Sequence, residues 1–81
     1  MEKVIVKEIE ELIKDIDEII NSSNNTEDME KCFVKKDMML MLHKRLLELE
    51  TFRGSNFQST LGPVMSTCER VSEWAHKILG L

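Results

Sequence analysis

Residues 2–20, EKVIVKEIEELIKDIDEII, carry the pattern that decides the fold. Large apolar side chains recur along this segment at alternating steps of four and three residues. They are Ile5, Ile9, Leu12, Ile16 and Ile19. This spacing places them on one face of a helix that packs against other helices. The segment therefore predicts an amphipathic helix from about residue 2 to residue 20.

A polar run, NSSNNT at residues 21–26, follows this helix. Short polar side chains compete for backbone hydrogen bonds, so the run predicts a loop, with Asn25 or Thr26 as the N-cap of a second helix. That helix is predicted from about residue 27 to Phe52 or Arg53, with Gly54 in the C-terminal cap. Its seam residues again alternate in steps of three and four, and they are Met39, Leu42, Leu46 and Leu49.

A third helical pattern follows Ser55, whose spacing to Gln58 is that of a capping box. Its seam residues are Leu61, Val64, Cys68, Val71, Ala75 and Ile78. Gly62 and Pro63 interrupt the pattern, and Pro63 either kinks one long helix or opens a new one. We expect a short turn over residues 56–61 and a main helix over residues 63–79, closed by Gly80.

Three amphipathic helices with short connections predict an all-α fold, an antiparallel three-helix bundle running up, down and up. With 81 residues, the chain is expected to form a single helical domain, residues 1–81. Charged residues make up 32% and apolar residues 42%, a balance typical of a globular domain and not of a disordered one.

The net charge of −4 argues against nucleic acid or an anionic membrane as the main partner. No uninterrupted apolar stretch reaches the length of a membrane span, and no secretory signal precedes the first helix. We therefore expect a cytoplasmic protein with both cysteine thiols reduced.

Residues 38–42, MMLML, are five consecutive apolar side chains within the second helix. Successive helical residues advance by about 100°, so this run covers the whole circumference of the helix. Either the monomer's own packing covers most of the run and leaves one or two methionines exposed, or a second chain, another copy or a target protein, covers what remains. Methionine suits the second case because its flexible, polarizable side chain adapts to varied surfaces.

The run favours a protein–protein interaction module, such as a small regulator, inhibitor or adaptor, that forms a homodimer through its second helix. Trp74 fits the core, but an exposed Trp74 would mark a binding surface. The predicted partner-binding residues are Met38, Met41, Arg45 and Trp74.

The alternative is a small nucleic-acid-binding transcriptional regulator. Its contacts would come from a basic edge of the second helix, repeated in a dimer, and made of Lys31, Lys35, Lys36, Lys44 and Arg45.

No catalytic motif is present, and we predict no enzyme and no cofactor. Cys32, His43, Cys68 and His76 supply the atom types of a zinc site, but none of them forms the tight local pair that structural zinc motifs use. We therefore expect the cysteines to be buried as small apolar side chains, the histidines to lie at the surface, and the chain to fold without metal.

Overall fold

The structure of the protein, a computed structural model, describes residues 2–50 and 56–81. These residues form helices α1 (Glu2–Ser22), α2 (Thr26–Glu50) and α3 (Asn56–Leu79), with no strand among them. Each helix packs against the other two. The predicted all-α three-helix bundle is confirmed.

The contacts between helices define the topology. Arg70 on α3 donates to the carboxylate of Asp17 on α1 at 2.6 Å, and Trp74 on α3 donates to the carbonyl of Ser23, just after α1, at 3.1 Å. From the first contact to the second, the residue number increases on the α1 side and on the α3 side, so α1 and α3 run in the same direction. The short connection at residues 23–25 turns α2 back between them, which gives the up, down, up order.

The core lies along the seams that the apolar spacing predicts. Ile9 and Ile16 of α1, Met39 and Leu46 of α2, and Val64 of α3 are fully buried. Leu42 and Leu49 are half-buried and pack at the edge of this cluster. The remaining buried apolar members are Ile5, Leu12, Cys32, Val71, Trp74 and Ala75.

Two threonines, Thr60 and Thr67, are buried on α3 although the apolar pattern does not predict them. The Thr67 hydroxyl donates to the Pro63 carbonyl at 2.8 Å, and the Thr60 hydroxyl donates to the Phe57 carbonyl at 3.0 Å. Because each hydroxyl bonds a carbonyl of its own helix, neither leaves an unsatisfied donor in the core.

The connection between α1 and α2 is shorter than the polar run suggests, because α1 continues to Ser22 and α2 begins at Thr26. Asn25 is the N-cap, since its Oδ1 accepts the backbone N–H of Asp28 at 2.8 Å. The Asp28 carboxylate in turn accepts hydrogen bonds from the Ser23 hydroxyl and from the Asn25 side-chain amide. The Ser23 hydrogen bond is the main reason that the pKa of Asp28 lies below its usual value.

Helix α3 corrects the prediction of a separate turn before Pro63, since one helix runs from Asn56 to Leu79 with Pro63 inside it. Proline normally disfavours a helical residue before it, because its Cδ clashes with that residue's backbone N–H and Cβ. Gly62 has no Cβ, and this removes one of the two clashes. The proposed caps at Gly54 and Ser55, and the end of α2 at Phe52 or Arg53, lie outside the described residues.

Gly80 closes α3 as predicted. Its φ of 73° is left-handed, and its N–H donates to the Lys77 carbonyl at 3.3 Å. The N–H of Leu81 donates to the His76 carbonyl at 3.0 Å, which completes a Schellman motif.

Candidate protein-binding surface on the second helix

An exposed apolar patch lies on the side of α2 that faces away from the core. Val34, Met38 and Met41 are 59%, 50% and 73% exposed. They follow one another at steps of four and three residues, which places them in one row along the helix. Exposed charged residues continue the row in both directions at the same spacing. We call this row the outer stripe, and its members are Lys31, Val34, Met38, Met41, Arg45 and Glu48.

The run at residues 38–42 divides between the core and this surface. Met39 is fully buried and Leu42 is half-buried against the core cluster. Leu40 is 38% exposed, on a different side of α2 from the outer stripe. The bundle therefore covers part of the run and leaves Met38 and Met41 to solvent.

Shallow depressions adjoin both methionines of the outer stripe. Met38 and Leu42 line one with Leu12 and the acidic side chains of α1, which are Glu8, Glu11 and Asp15. Met41 lines another with residues one to two turns further along α2, which are Lys44, Arg45, Glu48 and Leu49. The surface is thus uneven, with projecting methionines beside hollows, as helix-to-helix packing requires.

Trp74 belongs to the core and not to a binding surface. Its side chain is only 7% exposed, and its Nε1–H donates to the Ser23 carbonyl at 3.1 Å. The indole therefore ties α3 to the connection between α1 and α2. Of the four predicted partner-binding residues, the structure brings Met38, Met41 and Arg45 into one row and places Trp74 elsewhere.

The five basic residues of α2 do not form one edge. Lys35 turns toward α1 and meets the Asp15 carboxylate at 3.4 Å, whereas the ammonium of Lys36 lies 5.1 Å from the centre of the Phe33 ring. Phe33 and Lys36 line a depression with α3 residues, so this ammonium lies on the opposite flank. Lys31 lies 3.7 Å from the Asp28 carboxylate.

The cysteines and histidines do not converge on one site. Cys32 is buried and Cys68 is half-buried, and burial raises the pKa of both thiols. His76 is exposed, as expected, whereas His43 is half-buried and stacks on the Phe57 ring with centroids 4.4 Å apart. Within residues 2–50 and 56–81, no group of three or more His, Cys, Asp or Glu side chains could hold a metal ion.

The burial of His43 predicts that the stability of the protein depends on pH. Its Nε2 is buried and meets no hydrogen-bond partner among the described residues, so burial lowers the pKa of His43 below the ordinary 6.5. The unfolded chain then binds a proton more readily than the folded one, and stability falls as the pH drops below about 6.5. Urea titrations at pH 7.5 and pH 5.5 measure this loss. The His43→Gln variant should lose less stability than the wild type between these two pH values. An equal loss in both proteins would show that His43 is not the group responsible.

Comparisons with known proteins do not extend this description. No protein-family model matches the chain, and no curated protein or solved structure is significantly similar to it. None of the helices in the described part of the chain is long and apolar enough to cross a membrane. The outer stripe is the candidate functional surface.

Proposed function

We propose that this chain is a non-enzymatic protein–protein interaction module, a small regulator, inhibitor or adaptor, that self-associates through the outer stripe of α2. The observation that carries the proposal is the row of Val34, Met38 and Met41, each half or more exposed on one face of a long helix. We also place the protein in the cytoplasm, where the free thiols of Cys32 and Cys68 remain reduced.

The small core of a bundle of this size supports the proposed self-association. An 81-residue domain gains limited stability from its own core. A two-fold dimer places the same patch of both chains in contact, so one interface covers both outer stripes at once. Met38 and Met41 can adjust their three side-chain torsions to fill the hollows beside them. Association must still offset the lost rotational and translational freedom of two chains, which is why the interface needs the whole row.

The nucleic-acid alternative has less support. A phosphate-binding face requires several cations on one side of the molecule. Lys35 and Lys36 instead turn to opposite flanks of α2, and Lys35 lies beside an acidic side chain of α1.

The Met41→Glu variant tests the proposed surface. In a dimer, each substituted chain would place a carboxylate in the apolar centre of the interface. Even with Lys44 and Arg45 nearby, removing this charge from water should weaken association by about 3 kcal/mol, or roughly a hundredfold. Sedimentation at tens of micromolar should then show a dimer for the wild type and a monomer for the variant. Circular dichroism should show unchanged helix content, because Met41 is 73% exposed in the monomer.

Met65→Glu is the matched control. Met65 is 53% exposed but lies on α3, away from the outer stripe. This variant should remain a dimer. If Met65→Glu breaks the dimer and Met41→Glu leaves it intact, the interface is on α3 and the proposed surface is wrong.

A further inference from the structure

The charges at the two ends of the outer stripe differ in sign. Lys31 lies at the N-terminal end with 62% of its side chain exposed, and Glu48 lies at the C-terminal end. The apolar residues Val34, Met38 and Met41 lie between them, and Arg45 precedes Glu48 by one turn. This polarity along the helix means that the direction of a second copy decides which charges meet.

A parallel second copy would bring like charges together. In a parallel pair of helices each member of the stripe meets its own copy. Lys31 would then face Lys31, Arg45 would face Arg45, and Glu48 would face Glu48. All three contacts are repulsive, so the stripe opposes parallel pairing.

An antiparallel second copy converts these contacts into favourable ones. When Met38 of one copy faces Met41 of the other, the three-and-four spacing also sets Val34 against Arg45 and Lys31 against Glu48. Each contact occurs twice because of the two-fold axis. The aliphatic part of the Arg45 side chain of one copy covers Val34 of the other, while the Arg45 guanidinium reaches solvent.

A flanking pair adds to this complementarity. Asp37 and Lys44 are exposed residues, each immediately before a member of the stripe. In the same antiparallel alignment Asp37 of one copy lies within about half a turn of Lys44 of the other. Opposite charges thus meet beside the apolar centre as well as at its ends.

From this pattern we propose that the occupant of the outer stripe is a second copy of this chain in antiparallel orientation, with Met38 facing Met41 and Lys31 paired with Glu48. This inference rests on the proposed self-association and adds its direction and its register. Lys31 and Glu48 are the residues that specify the alignment, while the three apolar residues hold the copies together.

Reversing the charge of Lys31 tests the alignment. In the antiparallel dimer, Lys31→Glu replaces two attractive contacts with two repulsive ones, and we expect about tenfold weaker dimerisation at low salt. The double variant Lys31→Glu/Glu48→Lys restores opposite charges and should dimerise within about twofold of the wild type. Sedimentation equilibrium of the full chain measures all three dissociation constants, and circular dichroism verifies that each variant is folded.

Lys7→Glu is the control for net charge. It alters the charge by the same amount on an exposed position of α1 that lines a depression separate from those beside Met38 and Met41, and it should leave the dissociation constant within about twofold. A wild-type dimer that Lys31→Glu does not weaken would overturn the antiparallel alignment and leave the proposed surface standing. A wild-type chain that remains monomeric would overturn the proposed function, and the alignment with it.

Discussion

Replacing Met39 with alanine is expected to lower the free energy of unfolding by about 2–5 kcal/mol, whereas replacing Met41 with alanine should change it by less than about 0.5 kcal/mol. The two methionines are two residues apart on α2. Met39 is fully buried in the bundle, and its truncation leaves a cavity in the core. Met41 is 73% exposed, so its truncation removes few contacts within the monomer.

Urea titrations of both variants measure this difference. The titrations should be carried out at the lowest usable protein concentration, because association then contributes least to stability. Equal losses for Met39→Ala and Met41→Ala would mean that α2 is rotated about its axis relative to its orientation in this structure. A larger loss for Met41→Ala would place that residue in the core and remove it from the outer stripe.

Replacing Pro63 with alanine is expected to raise the free energy of unfolding by about 2 kcal/mol. Proline inside a helix costs about 3 kcal/mol relative to alanine, because its ring clashes with a preceding carbonyl and its N–H is missing. Alanine also makes the unfolded chain more flexible than proline does, which lowers the expected gain in the free energy of unfolding by about 0.4–1 kcal/mol. Pro63 is exposed, so the substitution leaves no cavity in the core.

Gly62→Ala provides a second measurement at the same place. A Cβ at Gly62 meets nothing within 4 Å beyond its own helix and chain neighbours, but it would clash with the ring of Pro63. Gly62→Ala should therefore stabilise the chain by about 1 kcal/mol in the Pro63→Ala background and by less in the wild type. If Pro63→Ala destabilises the protein, the helix is not continuous at this point.

The apolar spacing predicted the helices because the side chains that repeat every three and four residues are the ones that the bundle buries. It could not predict Thr67, whose hydroxyl is satisfied by a carbonyl of its own helix and can therefore be buried. It also failed at Gly62 and Pro63, because the rule that proline ends a helix depends on the residue before it. Thr67 shares the three-and-four spacing, three residues after Val64 and four before Val71, but a threonine does not contribute to an apolar pattern.

The candidate surface was harder to predict than the fold. Residues 38–42 are apolar without interruption, so residue type alone does not separate buried from exposed positions. The three-and-four spacing does separate them, since it places Met39 in the seam that faces the core and leaves Met41 outside it. Trp74 fitted the core in the sequence and was named as a binding residue for the case that it is exposed. Its contact with the Ser23 carbonyl, which decides between the two, depends on tertiary structure. The second row of three-and-four spacing, from Lys31 to Glu48, is present in the sequence, but its meaning depends on which face the bundle leaves exposed.

Self-association through α2 is tested most directly by sedimentation equilibrium of the wild-type chain over a series of concentrations up to tens of micromolar. The monomer has a mass of 9.4 kDa. We expect the weight-average mass to rise from that value toward twice that value as concentration increases. A mass that stays at 9.4 kDa throughout the series would contradict the account.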